Sequence, residues 1–86
     1  MSNKELARKI EVGSTWLHFK GVHTAVIITK ALHTETNEQL VIYECYDSKN
    51  NELCGVFARP MSMFLSVVDR DKYPDCKYKY RFTRMN

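Results

Sequence analysis

Residues 22–32 constrain this chain most: six of these eleven residues are β-branched, namely Val22, Thr24, Val26, Ile27, Ile28 and Thr29. Such side chains lose rotamer freedom in a helix and pack well on a pleated surface, so the stretch predicts a long strand. Upstream, Trp16, His18 and Lys20 alternate with Thr15, Leu17 and Phe19, which predicts a first strand from Ser14, closed by a tight turn at Gly21. Downstream, the polar turn 34–38 separates the long strand from a third over residues 40–46. A second polar turn at 47–52 leads into a shorter strand that ends at Pro60.

After Pro60, Met61, Phe64, Leu65 and Val68 fall at helical spacing and predict an amphipathic helix of about two turns. From Cys76, the residues Cys76, Tyr78, Tyr80 and Phe82 alternate with Lys77, Lys79, Arg81 and Thr83, predicting a fifth strand. Ser2 and Glu5 fit a capping box for a short helix over residues 3–11. Short hairpins and no long crossover exclude a parallel sheet. The expected fold is mainly β: a five-stranded, strongly bent antiparallel sheet or SH3-like barrel, with one short helix before the last strand. Its 86 residues form one domain, with 1–12 as a helical extension and 13–86 as the barrel. In SH3-like barrels a helical turn commonly precedes the last strand, which fits 60–68.

No segment approaches the roughly 20 apolar residues of a membrane span, and residues 1–13 lack the apolar core of a secretory signal, so a cytoplasmic protein is expected. The net charge of +3 is unevenly placed: residues 70–86 carry +4 and residues 1–69 carry −1. Such a field favours an anionic partner. Cys45, Cys54 and Cys76 include no CxxC pair, and a reducing compartment follows. Zinc held by Cys45, Cys54 and a histidine is formally possible, but zinc ligands normally come in closely spaced pairs. No metal and no cofactor are therefore expected, and Cys45 and Cys76 read as small buried strand residues.

Four blocks occur in order: His18-Phe19-Lys20-Gly21, His33-Thr34-Glu35-Thr36, Leu40-Val41-Ile42-Tyr43, and Ala58-Arg59-Pro60 with Met61 to Leu65 behind it. In order and spacing they resemble a small bacterial and phage family catalogued as a domain of unknown function. The likeness covers about residues 12–68. It implies His18, Lys20, His33, Glu35, Tyr43 and Arg59 as signature positions and implies no activity. The chain has Phe57 where that family usually carries another aromatic, often Trp, and its longer basic ending departs from the family's short one.

Physically, Trp16, His18 and Lys20 on one strand face place a ring, a titratable group and a cation in a row, suited to stacking a base and holding a phosphate. Arg59, at a strand end before a helix start, can join an anion site or pair with Glu35 or Glu44. His33 and Glu35 could act as an acid–base couple, but no serine has a nucleophile's context, so no enzyme is expected and Glu35 reads as an acceptor in its turn. Lys77, Lys79 and Arg81 form a second candidate surface, for an anion or nucleic acid.

These residues favour a non-enzymatic module that binds or sequesters an anionic, nucleotide-derived small molecule through Trp16, His18, Lys20, His33, Glu35, Tyr43 and Arg59. A phage protein trapping a host signal would suit that economy. The alternatives are a nucleic-acid-binding small barrel that uses the basic C-terminal strand, and a protein-interaction domain. With two sheet edges to protect, a homo-oligomer is expected.

Overall fold

The computed structural model describes residues 9–85. Five strands form one antiparallel sheet: β1 (Thr15–His18), β2 (His23–Leu32), β3 (Gln39–Asp47), β4 (Leu53–Pro60) and β5 (Phe82–Arg84). Their spatial order is β4-β3-β2-β1-β5, so three hairpins build the meander and the C-terminus returns to pair with β1. A single helical turn, α1 (Met61–Phe64), links β4 to the segment preceding β5.

The β2–β3 and β3–β4 turns are built alike. Asn37 and Asn51 adopt φ of 62° and 59°, a left-handed conformation that asparagine tolerates. Their N–H groups donate to the carbonyls of His33 and Asp47, and His33 and Asp47 in turn donate to the carbonyls of Glu38 and Glu52. In each turn the first side chain collects the free amides: His33 Nδ1 accepts from Glu35 and Thr36, and Asp47 Oδ1 accepts from Lys49 and Asn50. The accepting side chains in the first of these turns are therefore His33 and Thr36, whose Oγ1 accepts from the Glu38 N–H, and not Glu35. An imidazole nitrogen two and three residues upstream of the Glu35 and Thr36 amides reaches them directly.

Alternation along the strands directs Trp16, Ala25, Ile27, Val41, Tyr43, Cys45 and Phe82 into the core, where α1 adds Phe64. Trp16, Phe64, Ile27 and Val41 are fully buried. The indole N–H of Trp16 donates to Ser14 Oγ at 2.9 Å, and that hydroxyl donates to the Glu11 carbonyl, so the one polar atom of the ring is satisfied in the core.

The sheet bends strongly enough to bring the Arg59 guanidinium of one edge strand to 5.6 Å from the Phe82 ring of the other. It does not close into a barrel: β4 and β5 remain unpaired edges. β5 is only three residues long, and Phe64 stacks on Phe82 at 4.1 Å while meeting Tyr43 edge-on, filling the gap with rings instead of a hydrogen-bond ladder.

Two further expectations are corrected. The helix predicted over 60–68 stops at Phe64, although Phe64 and Val68 are buried and Met61 and Leu65 pack on the core. Beyond it, Ser66 accepts from Arg81 N–H and Val68 donates to Lys79, so pairing with the C-terminal segment takes over. The alternating residues 76–81 are not a strand. Arg70 donates to the carbonyls of Cys76 and Tyr78, occupying acceptors a ladder would need, and half-buried Cys76 lies in this loop. The N-terminal helix expected over 3–11 lies mainly outside the described residues, and residues 9–11 are not helical. Among the described residues no helix is long and apolar enough to cross a membrane.

Candidate functional site

The concave side of the bent sheet holds a cavity of about 420 Å³, within the size range of small-molecule sites. His18 comes from the end of β1, Tyr43 from β3, Phe57 and Arg59 from β4, and Phe82 from β5. The register explains this gathering. Phe57 lies opposite Tyr43, Arg59 opposite Val41, and Phe82 opposite His18, so residues far apart in sequence share one face.

Arg59 is half-buried at the rim. Its Nε donates to the Tyr43 hydroxyl at 3.3 Å, and its guanidinium faces the Phe82 ring. No carboxylate pairs with Arg59 among the described residues, and none of the described residues lining the cavity is acidic. Glu44 is instead bonded by the Tyr46 hydroxyl, and Glu35 sits exposed in its turn. The His18 ring packs edge-on to Phe82 at 5.1 Å. Burial first, and then the positive charges of Arg59, Lys20 and Arg81, lower its pKa to about 4. The cavity is therefore aromatic, free of acidic lining, and electropositive.

Of the residues singled out in the sequence, the structure brings His18, Tyr43 and Arg59 together. Trp16 has no exposed surface to offer a ligand. Lys20 lies past the end of β1, its ammonium 5.4 Å from the Tyr73 ring, beside a smaller polar cleft that also includes Lys72 and Arg81. His33 and Glu35 are used by the turn at the other end of the hairpin. Lys77, Lys79 and Arg81 do not share a strand face: Lys77 is exposed on the loop, Lys79 lies over Tyr80, and Arg81 donates to Ser66 Oγ.

Sequence reasoning missed Phe57, Phe82 and His23 as cavity residues, and Cys54 beside them. One signal was available for Cys54. Its neighbour Gly55 follows a polar turn where strand alternation begins, and an isolated glycine in a strand marks a bulge. The bulge is present: Cys45 lies opposite Gly55 while Tyr46 lies opposite Leu53, leaving Cys54 as the extra residue. Gly55 has φ of 155°, and the Phe57 ring lies over it, 3.2 Å from where a Cβ would stand.

Fold and cavity define a small, open antiparallel-sheet protein with an arginine-headed aromatic pocket on its curled face. The chain belongs to the family described as Protein of unknown function (DUF1653), whose model matches residues 14–84. That span takes in every strand and continues past residue 68 through the basic C-terminal segment. No curated protein and no solved structure matches the chain.

Proposed function

We propose that the protein is a non-enzymatic binding module for an anionic small molecule carrying an aromatic ring, of the nucleotide-derived kind, held in the cavity between β1, β3, β4 and β5. The observation that carries this reading is Arg59: a half-buried guanidinium in a cavity of small-molecule size, oriented by Tyr43 and Phe82, with no carboxylate partner among the described residues. A phosphate or carboxylate supplies the missing countercharge in two parallel hydrogen bonds, and Phe57, exposed on β4, offers its ring to an aromatic ligand, while Tyr43 and Phe82 are buried behind it and orient Arg59.

A binding role is favoured over catalysis by the thiols. Burial, then the neighbouring Cys54, pushes the Cys45 thiol above its ordinary pKa, the opposite of what an activated nucleophile requires. The reading places the protein in the cytoplasm, where nucleotide-derived anions and reduced thiols coexist. It also places it in a homo-oligomer, supported by the unpaired edge β4, on which Leu53, Val56 and Phe57 are exposed.

The test is a thermal-shift screen of nucleotides and their fragments against wild type, Arg59→Ala and Arg59→Lys. A ligand at 100 times its Kd raises stability by about 2.7 kcal/mol. That shift is expected to disappear in Arg59→Ala and to be weakened in Arg59→Lys, which keeps the charge without the fork. Binding to nucleic acid alone, with a steep salt dependence and no small-molecule shift, overturns the pocket reading.

A further inference from the structure

Beside the anion-binding part of the cavity, the structure assembles a second set of donors from three different strands. His23 opens β2, Cys45 lies on β3, and Cys54 is the bulged residue of β4. One ring nitrogen and the two sulfurs all lie within 4.8 Å of one another. We propose that His23, Cys45 and Cys54 form a zinc site whose fourth position opens into the cavity.

The bulge is the device that makes the site. In an unbroken β4, a residue adjacent to Gly55 would point to the face opposite Cys45, because side chains alternate. Placing two residues of β4 against one of β3 turns Cys54 back toward Cys45. This is why the sequence conceals the site: its ligands are not a closely spaced pair on one turn but neighbours across a ladder.

Geometry and donor chemistry agree on the metal. Tetrahedral zinc, with Zn–S of about 2.3 Å and Zn–N of about 2.0–2.1 Å, sets its donors roughly 3.5–3.8 Å apart, so donors within 4.8 Å of one another need to draw in by about 1.3 Å at most. Two thiolates and a neutral imidazole are soft and borderline donors that suit zinc and reject magnesium and calcium. Three protein ligands with one open position is the arrangement that admits an outside ligand. All three residues line the same cavity as Arg59, so an anion bound there has a metal at hand.

The inference does not rest on the anion-binding reading, and its test needs no organic ligand. The full chain, kept reduced with a phosphine, is titrated with zinc against a chromophoric chelator and, separately, with cobalt as a spectroscopic stand-in. The expected results are one zinc per chain and intense tetrahedral cobalt bands with sulfur-to-metal charge transfer. Cys54→Ser and His23→Ala should each weaken zinc binding by more than the roughly 10–100-fold that even an outer-sphere partner contributes. Cys54 is exposed, so that variant keeps the fold where a change at buried Cys45 risks losing it. Cys76→Ser, at a residue that bonds to Tyr78 within its own loop and does not line the cavity, should bind as wild type does. Cobalt without sulfur charge transfer, or undiminished zinc affinity in Cys54→Ser, overturns the site.

Discussion

Replacing Phe64 by alanine tests how an unclosed sheet keeps its core dry. Phe64 is fully buried, stacks on Phe82 at 4.1 Å with the rings 4° from parallel, and meets Trp16 and Tyr43 edge-on at 5.4 and 5.5 Å. Deleting a buried phenylalanine ring costs about 3–5 kcal/mol through lost transfer energy and the cavity left behind. Three rings lose an aromatic partner at once, which favours the upper half of that range. A chain of 86 residues has a total stability of roughly 4–13 kcal/mol, so this one change removes a large part of it. With an unfolding entropy of about 2.1 cal/mol/K per residue, the expected fall in Tm is roughly 20–30 °C. Phe64→Leu, which keeps most of the volume but not the ring contacts, should cost about 1–2 kcal/mol. Met63→Ala, one residue away and 44% exposed, is the control and should cost under about 1 kcal/mol. Urea and thermal unfolding followed by circular dichroism and Trp16 fluorescence provide the measurement. If Phe64→Ala unfolds within about 1 kcal/mol of Met63→Ala, the gap between the sheet edges is not sealed by this ring and the packing argument fails.

Two further outcomes are expected. His18 has a folded-state pKa of about 4, below its ordinary 6.5, so the unfolded chain takes up the proton first. Its stabilising contribution is therefore fully present above about pH 6.5, falls as pH drops toward about 4, and is flat below. The full displacement corresponds to roughly 3 kcal/mol, which screening at a partly exposed ring reduces to about 1–2 kcal/mol. His18→Asn should remove that slope from a series of urea midpoints taken between about pH 7.5 and about pH 4.5, and an unchanged slope refutes the assignment. Gly55→Ala should destabilise by about 1–3 kcal/mol, since φ of 155° is strained for an L side chain and the new methyl would press on the Phe57 ring. A stabilisation of about 0.4–1 kcal/mol in denaturant titration, the usual gain where alanine fits, would falsify the strained-bulge account.

Much of the architecture was legible because it rests on local chemistry. The β-branched run became β2, the two polar turns became hairpins of matching design, and Pro60 stands where β4 gives way to α1. The helical stripe Met61, Phe64, Leu65 and Val68 correctly named residues that pack on the core, although only the first turn is helical. The C-terminal alternation misled. Period two is compatible with any extended chain, and whether it pairs depends on a partner. Here the Arg70 side chain took the carbonyls of Cys76 and Tyr78.

For the candidate site, the family resemblance implied His18, Tyr43 and Arg59 among its signature positions, and all three reach the cavity. Trp16 drew attention as the ring in a row with His18 and Lys20, yet it lies in the core, where Ser14 satisfies its N–H. Whether an aromatic side chain faces a ligand or a core is set by what covers it, and that cover comes from α1.

What the sequence alone determined is the class of fold and the alternation of each strand, since side-chain stiffness, turn chemistry and period act over a few residues. Only the tertiary structure decided which rows of side chains meet. Register aligned Phe57 with Tyr43 and Phe82 with His18, one bulge turned Cys54 toward Cys45 and His23, and a sheet bent short of closure left a cavity with Arg59 at its edge. These are long-range pairings, and they are chosen by the packing of the whole sheet rather than by any one segment.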